Sequence, residues 1–177
     1  MTQKTLPLPG TYTLDAERTV IRCDCKALMG LMTVHGTFTL NAGRITIAAD
    51  PTASTIDVSI AAGSFASGLG VRDADVIGPT LLDAKTYPEI LFASADAGTG
   101  AGAIRPDGDG WVLTGSVTAH GTTQPAEVRI GDVTFEGGAA RFHATAILDR
   151  FGFGITSKKR RVGRTVTLTI DATAVPA

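Results

Sequence analysis

The three histidines of the chain are its first candidates for site chemistry, because an imidazole ring binds metal ions, transfers protons and holds polar ligands. His35, His120 and His143 each fall within or beside a segment that alternates like a strand. Two of them occur in His-Gly steps, before Gly36 and Gly121. One interpretation is a metal site drawn from three strands. The other, which we favour, is that the glycines shape the sheet while the neighbouring histidines form structural hydrogen bonds.

The two cysteines, Cys23 and Cys25, are separated by one residue in "IRCDCKAL". On an extended strand their side chains share one face. Their Cα atoms would then be roughly 6.5–7 Å apart, at the limit for a disulfide. We therefore expect two free thiols, and we leave open whether they have a redox role. A metal would need further ligands, which no CxxC motif or histidine pair supplies nearby.

Motifs for other chemistries are incomplete. The segment "GTGAGA", residues 98–103, resembles a dinucleotide-binding loop, but "IRPDGDG" follows it instead of a helix that would hold the pyrophosphate. We interpret it as a hairpin loop. There is no G-x-S-x-G motif, and no serine, cysteine or threonine has a base in its local sequence. The sequence predicts a protein that is not an enzyme and has no metal or cofactor.

A basic segment, "SKKRRVGR" at residues 157–164, carries five of the sixteen lysines and arginines. It lies between two predicted strands, so we expect an exposed loop. It is either a solvated loop or a contact with an anionic membrane, where Lys158, Lys159, Arg160 and Arg161 would each add about 1 kcal/mol. We expect no nucleic acid partner, because the net charge is −1 and no aromatic residues are interleaved with the cations.

The overall composition indicates one globular domain. A chain of 177 residues with 44% hydrophobic residues can bury a single core. Its 21 glycines and its many threonines favour turns and strands. The N-terminus has no long apolar segment of the secretory type, and no stretch of about 18 apolar residues occurs. We therefore expect no transmembrane helix and a cytoplasmic protein.

The strand pattern fits an all-β sandwich or barrel, because about eight alternating segments are separated by turns. The segment "STIDVSIA" alternates strictly and places Ile56, Val58 and Ile60 on one face. We interpret "MTVHGTFTLNAGRITIA" as two strands joined at Asn-Ala-Gly.

Residues 68–90 interrupt the alternation and contain Pro79 and Pro88. We predict one or two short helices at about 71–87, lying across one end of the barrel. A barrel with a helical cap is suited to holding a small apolar ligand.

Four segments occur in an order that is typical of one family. "GTYTLDAERTVIRCDCKALMGLMTVHGTFT" contains a strand, a turn and His-Gly-x-Phe. "STIDVSIAAGSFASGLGVRDADVIGPTLLDAKTYPEILFAS" contains Arg-Asp and Tyr-Pro-x-Ile-x-Phe. "LTGSVTAHGTTQPAEVRI" and "ATAILDRFGFGI" follow. Over about residues 10–175 the chain resembles the YceI-like family of polyisoprenoid-binding proteins.

The resemblance implies an eight-stranded antiparallel, lipocalin-like β-barrel formed by residues 10–177, after a flexible tail in residues 1–9. It also implies that an elongated apolar lumen binds a long isoprenoid chain, such as an isoprenoid quinone or its precursor. A homodimer is a further implication.

The residues that would line such a lumen are apolar and share strand faces, with Leu81 and Leu82 on the cap at the mouth. The candidate ligand-binding residues are Val34, Phe38, Leu40, Ile56, Val58, Ile60, Leu81, Leu82, Ile90, Phe92, Leu113, Val117, Phe142, Leu148, Phe151, Phe153 and Leu168. Polar candidates for the mouth or the cap are His35, Arg72, Asp73, His120 and Arg150. For Arg72 and Asp73, a structural ion pair or helix cap is the slightly favoured alternative.

Three functions stay open from the sequence. The first is a protein that binds, carries or sequesters an isoprenoid or similar lipid. The second is a membrane-surface or scaffolding module that acts through loop 157–164 and a dimer face, with a barrel that is packed solid. The third is an enzyme that uses the histidines or thiols, and it ranks last.

Overall fold

Ten strands and one α-helix are present in the computed structural model, which describes residues 8–94 and 104–177. The predicted all-β class is confirmed. Residues 1–7 of the expected tail and the "GTGAGA" segment lie outside the described residues. The strands are β1 (Gly10–Leu14), β2 (Val20–Ala27), β3 (Met32–Ile47), β4 (Thr55–Ala66), β5 (Glu89–Ser94), β6 (Ile104–Asp107), β7 (Gly110–Ala119), β8 (Thr122–Glu136), β9 (Ala139–Asp149) and β10 (Val162–Pro176).

The strands form one antiparallel sheet that closes on itself, because β10 pairs with β9 on one side and with β2 on the other. The order around the wall is β10-β2-β3-β4-β5-β7-β8-β9. The predicted eight-stranded antiparallel barrel is therefore confirmed. The two further strands are short extensions of the wall. β1 continues the position of β2 between β10 and β3, and β6 continues the position of β5 against β7.

Strand β3 shows that the interpretation of "MTVHGTFTLNAGRITIA" as two strands is wrong. It is one strand of 16 residues that pairs first with β2 and then with β4. Its register with β4 shifts between Leu40 and Ala42. The Asn-Ala-Gly signal therefore marks a bulge, which bends a long strand around the barrel without ending it.

The two His-Gly steps shape the sheet in different ways. His120 and Gly121 have φ angles of 51° and 73° and form the tight turn between β7 and β8. Such turns need two residues in the left-handed region, which glycine adopts readily. Gly36 lies within β3 instead, where a Cβ atom would come within 2.3 Å of the ring of Phe65. The first step is a hairpin turn, and the second is a close approach of a ring to the backbone.

The segment between β4 and β5 caps one end of the barrel with one helix, α1 (Gly70–Ile77), in agreement with the predicted one or two short helices. A second helix is absent because Gly78 and Pro79 interrupt the chain, and residues 78–87 continue as hydrogen-bonded turns. The side chain of Leu81, in these turns, is buried. Among the described residues, no helix has the length and apolar character needed to span a membrane.

The interior divides into a packed part and a more open part. The larger core cluster fills the middle of the barrel and the end opposite α1, with Ile21, Leu40 and Leu113 among its most buried residues. Smaller clusters around Phe153 and Phe65 lie at the α1 end. The candidate site lies between these smaller clusters.

Candidate ligand-binding cavity

An apolar cavity of about 260 Å³, here called the mouth cavity, lies beneath α1. Inward side chains of β2, β3, β4, β5, β7, β9 and β10 form its walls, and the cap covers it. Its lining also includes Lys26, Asp75 and Arg161, which are exposed, so the cavity opens to solvent at this end. Its volume is close to the lower limit of about 300–1,000 Å³ for small-molecule sites.

Two smaller apolar cavities continue along the barrel. The middle cavity has a volume of about 70 Å³, and the end cavity has about 60 Å³. Four side chains line both the mouth and middle cavities: Ile90, Val117, Leu148 and Leu168. Three line both the middle and end cavities: Ile56, Ile130 and Phe142. The lumen is therefore a line of apolar compartments that side chains divide.

The structure divides the predicted apolar residues between these compartments. Nine line the mouth cavity: Val34, Phe38, Leu81, Leu82, Ile90, Val117, Leu148, Phe153 and Leu168. Seven others line the narrow middle cavity: Leu40, Ile56, Val58, Ile60, Phe92, Leu113 and Phe142. Alternation correctly selected the members of both sets that lie on strands as inward-facing, whereas Leu81, Leu82 and Phe153 lie in turns. Their part in binding a ligand stays a prediction.

Phe151 does not line any of these cavities, so its predicted place in the lumen is wrong. It lies in a 3₁₀ turn, Arg150–Phe153, in which Phe153 is buried and Phe151 is partly exposed. The ring of Phe151 contacts the cations of Arg150, Arg164 and Lys159, at 5.0, 5.0 and 5.3 Å from its centroid. Because a tight turn points alternate side chains in different directions, the two phenylalanines separate between core and surface.

His35 and His120 do not line the mouth cavity, although both were candidates for its polar rim. His35 faces outward from β3, because Val34 and Phe38 of the same strand face inward, and its Nδ1 lies 2.5 Å from Asp24. The Nδ1 atom of His120 lies 3.3 Å from the carbonyl oxygen of Phe153. Both histidines thus serve the structural role that we favoured.

The structure does not bring the three histidines together, because their rings contact different partners. His143 lies on the outer wall, where its Nδ1 is 2.8 Å from Asp171, far from the partners of the other two. Among residues 8–94 and 104–177, no group of three His, Cys, Asp or Glu side chains has a metal-binding arrangement. The hydrogen bond from His143 lowers the pKa of Asp171.

Of the charged pair on α1, only Arg72 lines the mouth cavity. The carboxylate of Asp73 instead accepts hydrogen bonds from the amide nitrogen and hydroxyl of Ser67, at 2.9 and 2.6 Å. Asp73 therefore holds α1 to the end of β4, and it pairs with Ser67 rather than with Arg72.

Arg150 is the most deeply buried charged residue of the site, with 5% of its surface exposed. Its guanidinium donates to the carbonyl oxygens of Ile155, Ser157, Val162 and Gly163, at 2.7 to 2.9 Å. Burial lowers the pKa of this group from its ordinary value. Arg150 thus lines the mouth cavity and also fixes both ends of the basic loop.

Two cations of that loop are paired within the protein. Lys158 forms an ion pair with Asp75 of α1, which ties the loop to the cap. Arg164 binds both carboxylate oxygens of Asp149, with contacts of 2.6 and 2.9 Å, and this hydrogen bonding lowers the pKa of Asp149. Lys158 is therefore neutralised by Asp75 and is not free for the predicted membrane contact.

The other three cations of the loop, Lys159, Arg160 and Arg161, are exposed. Within the described part of the chain, none of them forms an ion pair with a carboxylate. They form an unneutralised positive rim beside the mouth cavity.

Cys23 and Cys25 line the mouth cavity, a role that the sequence analysis did not assign to them. Both are free thiols, as expected, and they share the inner face of β2. Burial raises the pKa of Cys23 to about 12 and also raises that of Cys25. At neutral pH both are therefore protonated and act as small apolar lining groups.

Other lining residues were also missed. Phe65 was missed because counting by two from Ile56 and Ile60 places it on the outer face of β4, whereas the burial pattern shifts by one residue between Ala62 and Phe65. Ile155 also lacked a signal, because it follows an irregular turn. The missed lining residues are Lys26, Ala27, Phe65, Asp75, Val76, Ala119, Ile155, Arg161 and Val162.

A closed antiparallel barrel with a helical cap over an apolar cavity defines a lipocalin-like fold. The chain belongs to the YceI-like family, whose domain matches residues 12–174. A UPF0312 protein of Pseudomonas putida (strain GB-1) is 32% identical over 156 residues, which cover 84% of this chain and 78% of that protein. A UPF0312 protein of Enterobacter sp. (strain 638) is 26% identical over 153 residues, covering 83% and 76%.

Solved structures share the fold. Burkholderia cenocepacia BcnA has a TM-score of 0.79 at 21% identity, covering 92% of this chain and 99% of its own. A polyisoprenoid-binding domain from Saccharophagus degradans, implicated in plant cell wall breakdown, has a TM-score of 0.68 at 14% identity, covering 94% and 98%. The structure is of a single chain, so the homodimer stays a prediction.

Proposed function

We propose that this protein binds a long isoprenoid or a similar apolar lipid in the barrel and carries or sequesters it. The observation that carries the proposal is the mouth cavity, about 260 Å³ of mostly apolar space that opens beside the cap. The relative from Saccharophagus degradans is described as a polyisoprenoid-binding domain, which supports the same ligand class here.

The driving force is the removal of apolar ligand surface from water. It contributes about 25 cal/mol for each Å² buried, and a chain of several isoprene units has hundreds of Å² to bury. The charged lining groups are Lys26, Arg72, Asp75, Arg150 and Arg161, and four of the five are cations. The apolar chain therefore enters first, while an oxygen-bearing head group stays at the mouth and accepts hydrogen bonds.

The compartments set the length of the ligand. The mouth cavity holds the first part of a chain, and a longer chain reaches the middle cavity only if Leu148, Leu168 and their neighbours move aside. Side chains change rotamer far more easily than a barrel wall changes shape. We propose an isoprenoid quinone or its precursor as the ligand, lying along the barrel axis.

The cavity also favours this function over the alternatives. A scaffolding module with a solid barrel has no use for an open apolar space beneath its cap. Catalysis is disfavoured because burial keeps Cys23 and Cys25 protonated, and because the histidines hydrogen-bond elsewhere. We therefore propose a binding protein and not an enzyme.

The test is a titration in which isoprenoid alcohols of increasing length displace a fluorescent apolar probe. Val34→Phe fills the mouth cavity from β3, whereas Thr39→Phe adds the same ring to the exposed face of that strand. We expect saturable binding that Val34→Phe weakens at least tenfold and Thr39→Phe leaves unchanged. Equal affinities for the two variants, or no binding by the unmodified protein, would overturn the proposal.

A further inference from the structure

The turn between β2 and β3 carries apolar side chains into solvent. Leu28, Met29, Leu31 and Met32, here called the apolar tip, are 49%, 89%, 89% and 43% exposed. Single exposed apolar residues are common on soluble proteins, but four within five residues form a contiguous patch. Such a patch indicates a surface that another apolar phase covers.

The backbone of the tip is also held in an unfavourable conformation. Leu28 and Met29 have φ angles of 49° and 57°, in the left-handed region that bulky L-residues rarely adopt. The conformation projects the apolar side chains outward, so the chain gains no packing from it. An observed outlier of this kind indicates a function for the residues that it displays.

The positive rim lies directly beside the apolar tip. The amide nitrogen of Leu28 donates to the carbonyl oxygen of Arg161 at 3.0 Å, and Ala27 pairs with Val162 across β2 and β10. The three exposed cations of the loop, Lys159 to Arg161, therefore border the tip. Apolar side chains flanked by unneutralised cations complement an anionic bilayer, which offers hydrocarbon beneath phosphates.

The cap extends this face on the other side of the mouth cavity. Leu69 and Val71, at the start of α1, are 50% and 82% exposed. The ion pair between Lys158 and Asp75 holds α1 against the basic loop. Tip, loop and helix thus surround one opening, which Ala27, Arg72 and Arg161 line.

We propose that this face docks on the surface of an anionic lipid bilayer. The apolar tip inserts into the boundary between head groups and acyl chains, and Lys159, Arg160 and Arg161 contact the phosphates. Docking turns the mouth cavity toward the lipid, so that an apolar ligand passes between bilayer and barrel without crossing water. The proposal goes beyond ligand binding, and it stands whether or not the cavity is filled.

The first test measures sedimentation of the full chain with sucrose-loaded vesicles of phosphatidylcholine, alone or mixed with phosphatidylglycerol. We expect binding to the anionic vesicles only. The double variant Met29→Ser with Leu31→Ser should lose about tenfold in affinity, because insertion depends on buried apolar area. Lys159→Gln with Arg160→Gln should lose about fivefold for each cation removed. Ile147→Ser, at a residue 70% exposed on the barrel wall, is the matched control and should leave binding unchanged.

A second test reports insertion directly. Leu31→Trp should be quenched by lipids brominated in their acyl chains, whereas Ile147→Trp should not be. No vesicle binding, binding that the tip variant leaves unchanged, or an unquenched tryptophan at position 31 would each overturn the proposal. A tip variant that changes the oligomeric state instead would identify a second copy of the chain as the occupant and overturn it too. The tip variants should keep full affinity for isoprenoid alcohols in solution, so failure of docking and failure of ligand binding are distinguishable.

Discussion

The ring of Phe65 lies against the backbone of Gly36, so that a Cβ atom at position 36 would come within 2.3 Å of the ring's Cε2 atom. Phe65 also contacts Phe38, with 5.4 Å between ring centroids, and both rings line the mouth cavity. The missing side chain at position 36 therefore lets Phe65 form part of the cavity wall.

Gly36→Ala should lose more free energy of ligand binding than free energy of unfolding. The new methyl group displaces the ring of Phe65 toward the cavity, and overpacking of this kind costs about 1–3 kcal/mol of stability. Probe displacement measures the affinity, and urea denaturation measures the free energy of unfolding. Gly63→Ala on β4 is the control, because its Cβ atom would meet only Ala84 at 3.7 Å. Unchanged affinity in Gly36→Ala would contradict this account of the wall.

Leu148→Ala should shift the preferred ligand toward longer chains. Leu148 lines both the mouth and middle cavities, so its truncation joins them. The variant should bind long isoprenoid alcohols relatively more tightly, with a stability loss of up to about 2–5 kcal/mol. Leu40→Ala enlarges only the middle cavity and should not change the order of affinities. The account of the divided lumen fails if both variants show the chain-length profile of the unmodified protein.

Arg150→Met should loosen the basic loop. Four carbonyl oxygens lose their charged donor, and each such hydrogen bond contributes about 1.5–3 kcal/mol. Hydrogen exchange should rise across residues 155–163 and stay unchanged in β4. Arg150→Lys should restore only part of the protection, because an ammonium group lacks the planar fork of donors. Protection that survives in Arg150→Met would show that other contacts hold the loop.

The stability of the protein should fall at alkaline pH through Cys23. Its pKa rises from 9.0 in the unfolded chain to about 12 in the folded one. The stabilisation is therefore fully present below pH 9 and is lost as the pH rises toward 12. The free energy of unfolding should decline less over this range in Cys23→Val. Parallel pH curves for the two proteins would contradict the burial of this thiol.

Strand alternation is a local pattern, so the sequence predicted an all-β sandwich or barrel, and the resemblance to the YceI-like family implied the eight-stranded barrel. Ile56, Val58 and Ile60 were placed on the inner face of β4 from period two alone, and the cap was located where alternation stopped. The bulge in β3 was missed because Asn-Ala-Gly also suits a turn. Only the pairing of β3 with β4 across it distinguishes the two.

The site was predicted less completely, because its particular features depend on distant contacts. Phe151 and Phe153 occupy similar sequence surroundings, and only the turn separates them. Arg150 binds main-chain carbonyl oxygens, and every residue type has such an oxygen, so the sequence does not identify these partners. The apolar tip has a hydrophobic sequence that also fits a core strand, so its exposure became visible only in the folded chain.

The central claim is that the barrel holds an apolar lipid, and mass spectrometry of an organic extract tests it most directly. The protein is purified without detergent, denatured and extracted, beside Val34→Phe and Thr39→Phe treated identically. We expect a prenyl lipid near one molecule per chain from the unmodified protein and from Thr39→Phe, and much less from Val34→Phe. Extracts without such a lipid, even after incubation with isoprenoid quinones, or equal amounts from all three proteins, would contradict the claim.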